Sequence, residues 1–162
     1  MKIINKALSK EKYEHTYEVM NSTNFPWYYS DSSVDGDNVS YFSHLFIAFG
    51  KSNSDFTYLV EPFYSLMKPS KLLHIRANLT VSKTKVFKTP FHKDHHKQDP
   101  KHRTAIYYLN NNNGYTEFKD EKIKCVENKL IIFNSETKHK AVAQTDTDTR
   151  IVINFNYFDA DL

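Results

Sequence analysis

Short apolar runs separated by polar turns dominate the chain from residue 72 onward. Runs of this length that are rich in β-branched and aromatic residues are typical of strands. The runs are LLHIRANLTV, TAIYYLN, YTEFKD, KIKCV, KLIIF, KAVAQ and RIVINFNYF. The clearest turns between them are NNNNGY at 110–115 and the pair Glu127-Asn128. This pattern predicts a mainly β protein, built as a sandwich or open barrel.

The first seventy residues predict helices that pack on the outside of the strands. Ser9 can cap a first helix, whose predicted inner face consists of Tyr13, Tyr17 and Met20. Pro62 is tolerated in the first turn of a second helix. The predicted inner face of that helix consists of Phe63, Leu66 and Met67. Between the helices, YFSHLFIAF at 41–49 predicts a buried strand.

The composition fits one domain with one substantial core. A chain of 162 residues suits a single domain and is too short for two ordinary ones. Its 12 Phe and 11 Tyr supply bulky material for the core. The formal net charge of +3 is small, so it neither demands nor excludes an anionic partner.

The sequence also predicts a cytoplasmic protein without a membrane segment. Its single cysteine, Cys125, cannot form an internal disulfide, which fits a reducing compartment. The start, MKIINKALSKEK, lacks the apolar stretch of a signal peptide. No run approaches the roughly 18 apolar residues that a membrane helix needs.

A metal-binding pair is expected in FHKDHH at 91–96. Side chains alternate between faces in an extended segment, so His92 and Asp94 should point one way and Phe91 and Lys93 the other. With 8 His and 19 acidic residues in the chain, this spacing is expected about once by chance. A distant third ligand would complete a two-histidine, one-carboxylate triad, which leaves iron(II) with open positions.

The third ligand and an anion-binding arginine are expected in KHKAVAQTDTDTRIVINFNYF. His139 opens a predicted strand, the TDTDT turn follows, and Arg150 begins the next strand. An arginine in such an apolar strand either forms a salt bridge at the barrel edge or binds a carboxylate through two parallel hydrogen bonds. An arginine that follows a second histidine ligand suits a dicarboxylate co-substrate.

The order His-x-Asp, about forty-five residues, His, about ten residues, Arg resembles the prolyl-4-hydroxylase-like branch of the 2-oxoglutarate/Fe(II) dioxygenases. TAIYYLN resembles the strand that follows the His-x-Asp loop in that branch, and TRIVINFNYF resembles its closing strand. NNGYTEF, ENKLIIF and INFNYF are similar to segments of small stand-alone members from phages and marine bacteria. The resemblance is strong over the last ninety or so residues and looser over the first seventy.

The resemblance implies a double-stranded β-helix, or jelly roll, with iron at its open end. Residues 1–70 would supply helical support and a flanking strand, and 71–162 the catalytic core. The implied iron ligands are His92, Asp94 and His139. The implied co-substrate contacts are Arg150 and Tyr108 at the distal carboxylate of 2-oxoglutarate, and Asn78, which occupies the position of a family tyrosine, near its other end. Fe(II), 2-oxoglutarate and O2 are the implied cofactor and co-substrates, with ascorbate a further candidate.

Two rival interpretations of the site remain open. His95, His96 and His102 crowd the same loop, so a zinc site of another composition is conceivable, although structural zinc sites favour four ligands and commonly cysteines. His15, His44 and His74 have no partners at ligand spacing and are interpreted as packing or surface residues. The second rival is an inactive jelly-roll binding protein, against which the joint presence of three ligands and the arginine argues.

The substrate is the least determined part of the prediction. The loop HHKQDPKHR at 95–103 is either solvated surface or a basic lip over the substrate. A basic lip would favour an acidic peptide, a phosphorylated metabolite or a nucleic acid. Relatives that act on nucleic acid usually carry a second arginine six residues after the first, where this chain has Asn156. The leading hypothesis is therefore a peptidyl-proline hydroxylase, with oxidation of a small molecule or nucleobase as the alternative.

Overall fold

The computed structural model describes residues 1–31, 40–82, 86–94 and 99–160. Within these ranges the strands form two antiparallel sheets. The larger sheet contains β1 (Lys2–Asn5), β2 (Tyr28–Ser30), β3 (Tyr41–Ala48), β4 (Lys51–Ser52), β5 (Pro69–Val81), β6 (His102–Tyr108), β9 (Lys129–Asn134) and β11 (Thr149–Asp159). The smaller sheet contains β7 (Tyr115–Phe118), β8 (Lys122–Lys124) and β10 (His139–Val142).

The strand order confirms the predicted jelly roll. The larger sheet runs β1-β9-β6-β11-β5-β3-β2, with β4 paired to β3, and the smaller runs β10-β7-β8. Most strands that are paired in a sheet are not consecutive in the sequence, because the chain crosses repeatedly between the two sheets. Strand β11 lies at the centre of the larger sheet, and its partners β5 and β6 flank it along most of its length.

Alternate residues of β11 face opposite sides of the larger sheet. The odd-numbered residues Ile151, Ile153, Phe155 and Tyr157 belong to a core that is shared with the helices. The even-numbered Val152 belongs to a second core, which also takes Phe118 from the smaller sheet. A strand with both faces covered requires apolar side chains on both. The even positions 150, 154 and 156 are instead polar, and they line a cavity.

The predicted helices are present with small differences. Helix α1 spans Lys10–Asn21, and the Ser9 hydroxyl accepts a hydrogen bond from the Lys12 amide, which confirms the predicted cap. Met20 is fully buried, but Tyr17 is 40% exposed, so only part of the expected face packs. The second helix begins as a 3-10 turn over Glu61–Phe63, with Pro62 inside it, and continues as α2 over Tyr64–Met67.

Three strands were absent from the prediction because each is short and is defined by its partner strand. Strand β1 pairs with β9, and the short strands β2 and β4 both pair with β3. Segments of two to four residues carry little periodicity of their own, so the sheet rather than the local sequence determines them. None of the described helices is long and apolar enough to cross a membrane.

Candidate metal centre and its cavity

Three side chains that the sequence singled out as ligands meet between the two sheets. Oδ1 of Asp94 lies 3.6 Å from Nε2 of His92 and 3.7 Å from Nε2 of His139. One ligand atom from each residue falls within 4.8 Å of the other two. An ion bound by all three atoms would draw them closer together. Among the described residues, this is the only group of three such side chains that could share one ion.

The segment that carries His92 and Asp94 is not the regular strand that the sequence predicted. His92 and His139 exchange backbone hydrogen bonds of 3.0 Å in an isolated bridge, and Asp94 donates from its amide to Ser135. Pro90 lacks an N–H and cannot donate to the neighbouring strand, which explains the interruption. The side chains of His92 and Asp94 point to the same place, as expected, although Phe91 and Lys93 also border the cavity.

Backbone carbonyls orient both histidine rings. Nδ1 of His92 lies 3.1 Å from the carbonyl oxygen of Pro90, and Nδ1 of His139 lies 3.0 Å from that of Thr137. A carbonyl can only accept a hydrogen bond, so each Nδ1 carries the proton and each Nε2 keeps a free lone pair. Burial lowers the pKa of His139, although the Asp94 carboxylate opposes this shift. Both rings direct Nε2 towards Asp94, and the burial of His139 favours the neutral nitrogen that a metal ion requires.

The second oxygen of Asp94 is held by two residues of the larger sheet. The Thr104 hydroxyl donates to Oδ2 at 2.8 Å, and the Asn156 amide donates to the same atom at 3.1 Å. Asn156 also lies 3.2 Å from the Thr104 hydroxyl, so the three groups form one network. These bonds fix the carboxylate with Oδ1 towards the histidines. Thr104 carries no sequence signal of its own, whereas period-two alternation in INFNYF puts Asn154 and Asn156 on the same face.

Replacement of Asn156 by alanine is expected to weaken Fe(II) binding by about tenfold to a hundredfold, which is typical for loss of a residue that orients a ligand. The Asp94 carboxylate would keep Thr104 but lose its second donor, and could rotate away from the histidines. An anaerobic Fe(II) titration measures the effect. Asn154→Ala is the matched control, because Asn154 lines the same cavity and makes no contact with Asp94. Equal losses in both variants would refute the orienting role.

At the other end of the cavity, Arg150 is buried without a carboxylate partner. The side chain is 4% exposed, and its Nε donates to Sγ of Cys125 at 3.1 Å. It forms no ion pair within the described ranges of the chain. A Cβ on Gly114 would lie 3.0 Å from Cδ of Arg150, so glycine leaves room for the arginine. A buried guanidinium of this kind is strongly stabilised by a bound anion.

Tyr108 packs behind the residues that line this end of the cavity. It is fully buried, and its hydroxyl donates to Oγ1 of Thr116 at 2.8 Å. Burial raises its pKa, so the phenol remains protonated at neutral pH. Thr116 lines the cavity and Tyr108 does not. Thr116, which the sequence did not single out, is thus the residue that borders the cavity at this position.

The remaining predicted residue, Asn78, lies on the cavity wall. Its Oδ1 is buried and has no hydrogen-bond partner among the described residues. Buried polar atoms are nearly always paired, so an unpaired one facing a cavity is suited to a ligand. The cavity holds about 670 Å³ and also receives His92, Asp94, His139 and Arg150. This volume accommodates a five-carbon keto acid together with part of a second molecule.

The basic loop after Asp94 is placed only in part. Residues 95–98, including His95, His96 and Lys97, lie outside the described residues. Arg103 forms a 2.7 Å ion pair with Asp159 and donates to the Pro100 carbonyl, so its charge is already compensated. His102 begins β6, where it is buried and stacks on Phe158. Of the predicted loop residues, Arg103 therefore has a carboxylate partner, and His102 lies in a strand.

Solved structures similar to this chain are oxygenases that use 2-oxoglutarate. A prolyl hydroxylase from Trichoplax adhaerens, in complex with a hypoxia inducible factor peptide, matches with a TM-score of 0.69 and 15% identity, over 98% of this chain and 83% of that one. A 2OG-Fe(II) oxygenase from Burkholderia pseudomallei matches with a TM-score of 0.70 and 7% identity, over 98% and 85%. The α-ketoglutarate-dependent epimerase SnoN of nogalamycin biosynthesis matches with a TM-score of 0.69 and 14% identity, over 98% and 78%.

These similarities establish the fold. No family model matches the sequence, and none of the curated proteins matches it. The chain has the jelly-roll fold of the 2-oxoglutarate/Fe(II) oxygenases along nearly its whole length. The named activities of the three proteins differ, so the fold is compatible with more than one reaction of this chemistry.

Proposed function

We propose that the protein is an Fe(II)- and 2-oxoglutarate-dependent dioxygenase that hydroxylates an unactivated C–H bond. The observation that carries this proposal is the convergence of two features in one cavity. A two-histidine, one-carboxylate group lies on one wall, and the buried Arg150, which forms no ion pair with any described residue, lies on another. The first feature matches iron(II) with open positions, and the second matches the free carboxylate of a keto acid.

Each predicted residue has a role in this proposal. His92, Asp94 and His139 hold the iron, which when bound would supply O2 activation and the oxidative decarboxylation of 2-oxoglutarate. Arg150 binds the distal carboxylate through its guanidinium fork. Tyr108 acts through Thr116, which presents a hydroxyl to the same end of the cavity.

Asn78 is assigned to the other end of the co-substrate. Its side chain lines this wall of the cavity, where the Nδ2 amide group can donate to a carboxylate oxygen. The rival interpretation, an inactive jelly-roll binding protein, is disfavoured because a merely structural cavity has no use for a complete ligand triad.

For the substrate, we infer a peptidyl-proline, with a small molecule as the alternative. The peptide complex of the Trichoplax prolyl hydroxylase supports the former, and the small-molecule chemistry named for SnoN supports the latter. The nucleobase alternative is weaker because Asn156, where such relatives usually carry an arginine, is engaged with Asp94. We also propose a cytoplasmic compartment, which the free, buried thiol of Cys125 supports, and one domain over 1–162, which matches to single structures over 98% of the chain support.

The decisive test is succinate formation by purified protein loaded with Fe(II), with ascorbate to keep the iron reduced. We expect slow 2-oxoglutarate turnover alone and faster turnover when a member of a substrate panel is added. The panel contains proline-bearing peptides, free amino acids and nucleotides. Absence of any succinate, with intact fold and bound Fe(II), would refute the proposed function.

A further inference from the structure

A third arginine, Arg76, lies on the cavity wall between the metal end and Arg150. The inward-facing residues of β5 are His74, Arg76, Asn78 and Thr80. In the same order, they pair with Asn156, Asn154, Val152 and Arg150 of β11. Asn156 contacts the metal carboxylate, and Arg150 is the proposed co-substrate anchor. The Arg76–Asn154 pair is therefore next to the His74–Asn156 pair at the metal end, and it is two pairs away from the Thr80–Arg150 pair at the proposed anchor.

Arg76 is exposed, and no described residue balances its charge. It forms no ion pair or hydrogen bond within residues 1–31, 40–82, 86–94 and 99–160. Its neighbour His74 does not share the charge, because burial and the arginine itself lower the pKa of that histidine. Among the described lining residues of the cavity, Asp94 is the sole carboxylate, and it belongs to the proposed metal site.

The charges of the proposed cofactors leave Arg76 uncompensated. A divalent ion and the guanidinium of Arg150 together balance the Asp94 carboxylate and the two carboxylates of 2-oxoglutarate. Arg76 and Lys93, which also lines the cavity, remain as two excess positive charges. A cavity with low-dielectric walls and an excess of one sign concentrates ligands of the opposite sign.

A second cavity meets the first at Arg76 and gives a substrate room to extend. It holds about 800 Å³ and lies over β2 and β3. The side chains that line it include Tyr28, Ser30, Ser43, Ser54 and Asp55, besides Arg76. Asp55 forms no ion pair with Arg76. Arg76 thus faces both the proposed reaction site and a hydroxyl-lined groove beside it.

We propose that Arg76 binds an anionic group, a carboxylate or a phosphate, of the substrate that is oxidised. The inference rests on the proposed function, because it treats the metal end of the cavity as the reaction site. Guanidinium binds both kinds of anion through paired hydrogen bonds, which lysine cannot reproduce. The substrate would then lie with its reacting carbon at the metal end and its anion at the junction of the two cavities.

Matched probes test this proposal without turnover. N-acetylproline and its neutral analogue N-acetylprolinamide are titrated by calorimetry into protein that holds Fe(II) and 2-oxoglutarate under nitrogen, and phenyl phosphate serves as the phosphate probe. We expect at least one anion to bind about tenfold more tightly than the neutral probe. Arg76→Gln should abolish this preference. The control Lys71→Gln should keep it, since Lys71 is an exposed residue of the same strand that lines neither cavity.

Several outcomes would overturn the proposal. These are no preference for either anion in the native protein, a preference that survives Arg76→Gln, or no anion binding at millimolar concentration. A raised half-saturating concentration of 2-oxoglutarate in Arg76→Gln would assign the residue to the co-substrate instead. Failure of the proposed function is distinguishable, because the native protein would then form no succinate whatever the probes bind.

Discussion

Replacement of Asp94 by asparagine is expected to abolish 2-oxoglutarate turnover and to weaken Fe(II) binding by more than about a hundredfold. Loss of a residue that only orients a ligand weakens metal binding by up to about a hundredfold, and loss of the ligand itself should cost more. Asparagine has the same shape and can still accept from Thr104, so the network around Oδ2 can persist. The amide that replaces Oδ1 is a poor ligand and removes the negative charge between the two histidines. Fe(II) titration and succinate formation measure both effects, and thermal unfolding checks the fold.

Replacement of His92 or His139 by alanine should also abolish 2-oxoglutarate turnover, but the two variants should differ in melting temperature. His92 is partly exposed and makes few packing contacts, so its removal should leave the melting temperature nearly unchanged. His139 is buried, and its ring centroid is 5.0 Å from that of Phe133, so alanine there leaves a void. If His95→Ala and His96→Ala abolished turnover while His92→Ala did not, the ligand assignment would be wrong.

Parts of the fold could be predicted because strands with one buried face carry their own signal. β6, β9 and β11 contain the apolar stretches AIYY, LIIF and IVI, and the turn residues between the strands are explicit. Other strands could not be predicted locally. β1 pairs with β9, more than 120 residues away in sequence, and its four residues would be equally compatible with a loop. Such pairing is determined by tertiary contacts.

The site was predictable to the extent that its residues recur at characteristic spacing. His92, Asp94 and His139 could be proposed from spacing and resemblance, and the structure brings them together. Arg76 and Thr104 carry no motif, and their importance comes from the sheet register that sets them opposite Asn154 and Asn156. Alternation in HIRANLT does place its polar residues on one face, but the sequence alone cannot show that this face borders a cavity.

Replacement of Arg150 by alanine is expected to raise the half-saturating 2-oxoglutarate concentration by about tenfold to a hundredfold, with Fe(II) binding nearly unchanged. A charge-assisted hydrogen bond contributes about 1.5–3 kcal/mol, which corresponds to that range. The effect is confined to the co-substrate because Arg150 does not touch the three proposed ligands. It contacts Cys125, next to the second core. Initial rates of succinate formation at varied 2-oxoglutarate provide the measurement.

Three further variants separate charge, geometry and support at this anchor. Arg150→Lys keeps the charge without the fork, so we expect a smaller but clear loss. Gly114→Ala should act in the same direction, because its Cβ would press on Cδ of Arg150 and on the Val142 carbonyl. Tyr108→Phe should raise the half-saturating 2-oxoglutarate concentration least, since it removes one neutral donor to Thr116.

2-Oxoglutarate should also raise the melting temperature of the Fe(II)-loaded native protein more than that of Arg150→Ala. An unchanged dependence on 2-oxoglutarate in Arg150→Ala would exclude this arginine as the anchor, whatever the other variants do.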